Sequence, residues 1–483
     1  MSEATLLGVA LALPAAGAGL VALCHRWPNL REAVSLASAA LTFFAVVSLV
    51  PPVLAGARPA LALAEMLPGL AIALELEPLG LLFALIASGL WFVSGLYSIG
   101  YMRGNDEEHQ TRFYVCFALA IAGALGVAFA GNLLTLYLFY EVLTLVTWPL
   151  VTHHGDDEAR GGGRTYLGVL LASSLLFLLP AMAVTWWVSG TLDFTPGGIL
   201  GGKVSGGAAA ALLALYAFGI GKAALMPIHR WLPAAMVAPT PVSALLHAVA
   251  VVKAGVFSIV KVVVYVFGLD FGADAFVWLP WVAGFTILAA SVVALRSDNL
   301  KRRLAYSTVS QLSYVVLAAA LLAPLSVVGA VVHIAAHAFG KITLFFAAGA
   351  IYTASGKTAV SELDGIGRRM PWTMAAFAVG ALSLIGIPPA AGFLSKWFMF
   401  QGAAQGGHWL ALGVLSVSTV LNAAYFVPIV YRAFLVKGGE ASHGEAPASM
   451  VAAMAFTAAG TLALPFVAGV PLALARAVAG VSP

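Results

Sequence analysis

The chain has 483 residues, 61% of them hydrophobic and 9% charged, with a mean hydropathy of +0.99. A soluble domain carries about 25% charged residues and disorder needs low hydrophobicity with high charge, so both classes are excluded. The net charge of +4 comes from basic residues scattered singly among apolar runs, which leaves no nucleic-acid footprint.

A bilayer crossing takes about 20 apolar residues. Apolar stretches bounded by charge, Gly and Pro predict fourteen spans: 4–24, 33–54, 78–101, 113–130, 132–152, 165–189, 208–229, 240–267, 275–295, 304–322, 326–352, 372–400, 408–431 and 449–478. The first has only Glu3 before it, without the basic segment of a signal peptide, and is kept as a span. The segment 55–77, with Pro59, Pro68, Glu65, Glu75 and Glu77, is too polar to cross and reads as an extracytoplasmic hairpin or loop. No loop is long enough for a soluble domain. The expectation is an all-α polytopic protein with a single membrane domain over 1–483. Spans 1–3 occupy 1–111, two five-helix repeats occupy 112–268 and 274–435, and the last span occupies 449–478.

The loops on one side hold sixteen Lys and Arg, whereas the other side holds three, Arg58, Lys203 and Arg476. Basic loops stay cytoplasmic, so both termini are expected outside a prokaryotic plasma membrane. Two spans carry breakers at mid-depth. The seventh contains Met226-Pro227 and runs into Trp231-Leu232-Pro233; the twelfth contains Gly386-Ile387-Pro388-Pro389. Broken helices five spans apart are the pattern of inverted-repeat transporters, so spans 4–8 and 9–13 are read as inverted repeats.

An ionisable group at mid-membrane costs about 2.5–3.5 kcal/mol on insertion scales, and function is its default reading. Glu141 stands alone in the fifth span, so its partner must come from another helix. Lys222 precedes the break of the seventh span. A Glu141–Lys222 pair that opens and closes would switch whether the lysine holds its proton, since burial and a nearby carboxylate act on a lysine in opposite directions. The eighth span carries His247 and Lys253, read as relay and proton carrier, and Lys261, read as snorkelling toward the outer end. In the eleventh, His333, His337 and Lys341 recur every four residues, drifting 40° per step along one stripe. HxxxH can bind zinc, but no third ligand accompanies it, and the stripe reads as a proton or water path. Lys396 follows the break of the twelfth span as the counterpart of Lys222. Ser307, Thr308, Ser310 and Gln311 form a polar stretch in the tenth. The expected path runs Glu141, Lys222, Lys253, then His337 and Lys341, then Lys396.

No catalytic, cofactor or metal site is expected. Cys24 and Cys116 are too few for an iron–sulfur cluster. SGKT at 355–358 lacks the first P-loop glycine, its place being taken by Ile351, and no strand precedes it.

The runs LFYEVLTL around Glu141, GKAALMPIHRWLPAAMVAPTPVSALLHAVAVVKAG, HIAAHAFGKITLFFAAGAIY and SLIGIPPAAGFLSKW carry a resemblance. The chain resembles the antiporter-like membrane subunits shared by respiratory complex I, membrane-bound hydrogenases and multisubunit Mrp (Mnh) cation/proton antiporters. The resemblance covers essentially the whole length. It implies fourteen helices, two inverted repeats, a glutamate on the fifth span and lysines on the seventh and eighth. Glu141, Lys222 and Lys253 occupy those positions. GFLSKWFMFQGA and LNAAYFVPIVYRAF look most like the Mrp D-type subunit. Two features depart from it: His247 is more typical of the larger A-type and complex I L-type subunits, yet the chain ends without their lateral helix. The resemblance implies a proton-translocating subunit of a Na+ or K+/proton antiporter, partnered by other membrane subunits and lipid. The alternative is a proton-pumping subunit of a redox complex, with a membrane partner in inorganic-carbon uptake as a third reading.

Overall fold

The computed structural model describes residues 2–438 and 444–481. Its helices follow the apolar runs. In order they are α1 (Glu3–Leu23), α2 (Pro28–Val47), α3 (Val50–Leu54), α4 (Pro78–Gly104), α5 (Gln110–Ala128), α6 (Leu133–Val151), α7 (Asp157–Ser173), α8 (Leu179–Ser189), α9 (Gly206–Gly219) and α10 (Trp231–Ala234). There follow α11 (Thr240–Ala244), α12 (Val251–Lys261), α13 (Leu279–Arg296), α14 (Leu300–Ala320), α15 (Pro324–Ser355), α16 (Pro371–Ile385), α17 (Ala391–Gln405), α18 (Trp409–Leu435), α19 (Ala448–Ala463) and α20 (Gly469–Val478). Starts are marked by proline in the first turn, as at Pro28, Pro78, Pro324 and Pro371. Others are capped by side chains that accept from the third residue on, as at Asn132 and Asp156.

Among the described residues, ten stretches are long and apolar enough to cross a membrane. The remaining predicted spans are the two broken ones, the polar α14, and a C-terminal span that divides around Pro465 into α19 and α20. The segment 55–77, read as a hairpin or loop, holds an antiparallel hairpin, β1 (Ala60–Leu67) and β2 (Leu70–Glu75). It gathers alternate helix ends onto one face. Gly131 N donates to Ala73 O, Glu75 N to Phe129 O, Phe194 N to Gly131 O, and Ile199 N to Val266 O. The chain therefore returns to the hairpin face before α4, after α5, after α8 and at Phe267, as alternating spans require.

Two crossings form the centre. Thr240–Phe267 is continuous through two π turns, Leu245–Val249 and Val262–Phe267, and every residue in its apolar window is buried. The 32-residue α15 is 94% buried over its window and ends at Gly356 in the left-handed region. The other crossings surround these two. Helix packing in lipid depends on close van der Waals approach through small residues, and Gly255 supplies it where α12 meets the seventh span. A Cβ there would fall on the backbone of Lys222 and Ala223.

The break in the seventh span comes earlier than expected. Helix α9 stops at Gly219, and Lys222 lies inside the break, in a single 3-10 turn from Gly221 to Ala223. Gly219, Gly221 and Pro227 weaken the helix here, and backbone contact with Gly255 holds the turn. In the twelfth span α16 ends at Gly386, with φ 93°, and α17 resumes after Pro388-Pro389.

Gly255→Val tests this crossing. Overpacking of a close contact costs about 1–3 kcal/mol, and here the obstacle is backbone rather than a movable side chain. The variant is expected to lower the melting temperature of the detergent-purified protein and its abundance in membranes. Wild-type melting would show that the contact is not fixed.

Candidate functional site

Six buried ionisable side chains lie within spans 5, 7, 8, 11 and 12: Glu141, Lys222, Lys253, His333, His337 and Lys396, with Lys222 inside a break and Lys396 just after one. Lys222 is fully buried. Its position in the broken turn aims Nζ at α6, where it donates to Tyr140 O at 2.8 Å and Thr144 Oγ1 at 2.5 Å, with the Tyr140 ring 3.1 Å away. The Lys222 amide, freed by the break, donates to the Tyr140 hydroxyl at 3.0 Å. Glu141, the next residue on α6, has both carboxylate oxygens buried and without a hydrogen bond to any described group. The expected Glu141–Lys222 pair is therefore open: the lysine is held one residue short of the carboxylate.

Lys253 lies on α12, near the point where Gly255 touches the Lys222 backbone. Its Nζ is 2.6 Å from His337 Nδ1 on α15. With the ammonium donating, the imidazole accepts at Nδ1 and carries its own proton on Nε2. One helical turn away, His333 meets the twelfth span. Ser395 Oγ donates to Gly392 O at 3.1 Å, so it accepts from His333 Nδ1 at 2.8 Å. The two imidazole centroids are 5.8 Å apart, and His333 stacks on Tyr314. The next residue, Lys396, folds back onto the helix it follows and donates to Leu384 O and Ile385 O at 2.9 and 2.8 Å. These are carbonyls left free where α16 ends, at the negative pole of its dipole.

Two expected members sit elsewhere. Lys341 does not join His337 to Lys396; it donates to Leu304 O on α14 at 2.9 Å. The 40° drift per step puts Lys341 about 80° from His333, enough to face a different neighbour. His247, in the first π turn of span 8, packs on Phe345 with centroids 4.7 Å apart, and neither ring nitrogen has a described partner. The polar stretch of α14 divides in the same way. Ser310 bonds Ser291 as a helix–helix contact, while Ser307 Oγ pairs with the Tyr425 hydroxyl, which donates to Asn422 Oδ1. Asn422 reaches Leu384 O at 3.3 Å, the carbonyl that Lys396 uses.

Lys261 corrects the snorkelling expectation. It is 1% exposed and its Nζ lies 2.9 Å from Glu77 Oε1, with Glu77 3% exposed. The partner lies about 180 residues away in sequence, in a segment read as loop, and only the fold joins them.

On the face opposite the hairpin, a cavity of about 350 Å³ is lined by Tyr101, Glu107, His154, Thr240, Lys301 and Tyr352 among others. Outside the spans, Glu107 lies 3.3 Å from His154 and raises that imidazole's affinity for a proton. Burial pushes the neighbouring His153 down to about 4. Thr240 and Ala348 of the cavity wall are seven residues, about two turns, from His247 and Lys341 on their respective helices.

The family profile described as "NADH:quinone oxidoreductase/Mrp antiporter, TM" matches residues 130–422. The chain is 34% identical over 374 residues to NADH-quinone oxidoreductase subunit N of Desulforudis audaxviator, covering 76% of this chain and 74% of that one. It is 34% identical over 342 residues to a probable K(+)/H(+) antiporter protein of Rhizobium meliloti, covering 70% of this chain but 33% of that larger protein. It likewise spans 61% of hydrogenase-4 component B of Escherichia coli. The fold is similar to a chain of the Mrp complex from Dietzia sp., with TM-score 0.89, 23% identity and 99% and 97% of the two chains covered. A chain of an archaeal membrane-bound sulfane sulfur reductase matches with TM-score 0.88 and the same identity. The chain belongs to the NADH:quinone oxidoreductase/Mrp antiporter transmembrane family, the antiporter-like membrane subunits of multisubunit complexes.

Proposed function

We propose that the chain is the proton-translocating subunit of a multisubunit Na+ or K+/proton antiporter, working with other membrane subunits in a prokaryotic plasma membrane. The observation that carries this reading is the 2.6 Å contact between Lys253 Nζ and His337 Nδ1. It joins two fully buried proton-carrying groups on separate helices, at the centre of a row that runs from Glu141 to Lys396. The antiporter relative from Rhizobium meliloti supports an ion-gradient drive. The likeness to quinone oxidoreductase subunit N supports the second reading, a proton pump driven by redox chemistry in partner subunits. The residue roles are the same under both.

In this mechanism, the open Glu141–Lys222 pair is one of two states. When Lys222 swings from Tyr140 O to the Glu141 carboxylate, its charge is held there; when it returns, its proton is free to pass toward Lys253. His337 takes the proton at Nδ1 and releases one from Nε2, the ordinary two-nitrogen shuttle of imidazole. His333 and Ser395 continue the row to Lys396, bridged by water where no direct contact exists. The cavity opposite the hairpin is the inlet, leading past His247 and Lys341. The bias of basic residues supports an inlet on the cytoplasmic side, with the hairpin and both termini outside.

Glu141→Ala is expected to insert and assemble normally, because it removes a membrane charge, and to abolish cation-induced ΔpH in everted vesicles. Near-normal antiport at normal abundance would defeat the assignment. Lys222→Arg keeps the charge but cannot give up its proton, so it should assemble on a native gel and fail to transport. Transport at close to the normal rate would make Lys222 structural. His337→Phe should lower the rate about as much as Lys253→Met, with little further loss in the double variant, since groups acting as one unit are not additive. Fully additive losses would separate the two residues.

A further inference from the structure

The Glu77–Lys261 contact has no part in the row described above, yet it lies on the same helix as Lys253. Among the described residues it is the buried contact between a lysine and a carboxylate. Glu77 caps α4 at the hairpin face, and its oxygens are fully used. Oε1 accepts from Lys261 Nζ at 2.9 Å and from Gly80 N at 2.8 Å; Oε2 accepts from the Tyr265 hydroxyl at 2.9 Å and from Leu79 N at 2.7 Å. The ammonium is surrounded by aromatic faces: Phe194 at 4.5 Å, Tyr265 at 5.1 Å and Phe257 at 5.7 Å. Beyond the pair lies the surface, with exposed Arg58 and half-buried Glu75. Lys253 is eight residues inward, about 12 Å along the helix.

We propose that Glu77, Lys261 and Tyr265 form an outer seal: a buried ion pair, its carboxylate saturated by four donors, that closes the hairpin end of span 8 against proton leak from Lys253. This rests on Lys253 carrying protons, as argued above. Four donors on two oxygens leave the carboxylate no free lone pair aimed at water, and the aromatic faces keep water from the ammonium. An uncompensated charge at this depth does the opposite, since it draws in water defects to solvate itself. Loss of Glu77 would hydrate the stretch between Lys261 and Lys253 and connect the row to the hairpin side. The lysine serves here as a permanent cation that exchanges no proton, so its tolerance should invert that of Lys222. Arginine, which pairs firmly with carboxylates, should replace it.

The test uses everted vesicles bearing the whole complex, with abundance normalised on a native gel. The readout is the decay of an imposed ΔpH without Na+ or K+. Glu77→Gln is expected to speed the decay per complex several-fold, and Tyr265→Phe, which removes one donor of four, to speed it less. Lys261→Arg is expected to keep both wild-type leak and wild-type antiport. In the Glu77→Gln/Lys253→Met double variant the leak should return to the wild-type level. Unchanged decay in Glu77→Gln at normal abundance overturns the seal. Should Glu77→Gln fail to assemble, unchanged decay in Tyr265→Phe overturns it equally. Loss of antiport in Lys261→Arg also overturns it, because Lys261 would then be exchanging a proton. A leak that persists in the double variant leaves the seal standing and removes Lys253 from the path instead.

Discussion

Hydrocarbon offers an ammonium nothing, so each buried lysine must find its partner inside the protein. Backbone carbonyls are the commonest answer here. Lys222 takes Tyr140 O, Lys341 takes Leu304 O, and Lys396 takes Leu384 O and Ile385 O. A carbonyl accepts a hydrogen bond but carries no net charge and has no proton to exchange, so it holds a lysine in place without fixing its protonation. Lys253 and Lys261 are the exceptions, meeting an imidazole and a carboxylate. The chemistry of the partner, rather than the lysine, separates a neutral acceptor from a second titratable group and from an ion pair.

The supply of carbonyls follows from the breaks. An intact helix uses its carbonyls internally, apart from the last turn. Gly386 and the following prolines end α16 early and release Leu384 O and Ile385 O where Lys396 can reach them. The seventh span uses its break differently: it frees the Lys222 amide for the Tyr140 hydroxyl, and the side chain borrows a carbonyl from α6. The two broken spans thus place their lysines by unlike means, one inside its break and one just after it. That asymmetry depends on Gly255, whose missing side chain admits the Lys222 turn against α12.

Hydropathy made most of the fold legible. Crossings, the hairpin segment and both breakers are local features, carried by apolar runs, prolines and glycines within a few residues of where they act. The isolation of Glu141, Lys222, Lys253 and Lys396 in apolar surroundings also marks them without any structure. Partner choice was not legible. The four-residue spacing of His333, His337 and Lys341 suggested one stripe, but the drift of a real helix sends Lys341 to α14 and leaves His333 to meet Ser395. Glu77 looked like a loop residue and Lys261 like a helix-end lysine, and nothing local ties one to the other. Tyr140, Tyr314, Asn422 and Tyr425 carry no charge at neutral pH, so a search for charged groups passes over them.

Span 8 carries two lysines about 12 Å apart whose partners differ in chemistry. An imidazole presents two nitrogens on opposite sides of one ring, so accepting at His337 Nδ1 leaves Nε2 able to pass a proton on. A carboxylate saturated by four donors has no comparable outlet, and protonating Glu77 would sacrifice an ion pair and part of a helix cap together. The same cap ties the ion pair to the first turn of α4, so Lys261 cannot follow a moving proton without unfastening that helix. The contrast between a saturated carboxylate at the hairpin end and an imidazole with a second nitrogen further along therefore comes from the partners' chemistry, on a helix whose own sequence offers a lysine at both places.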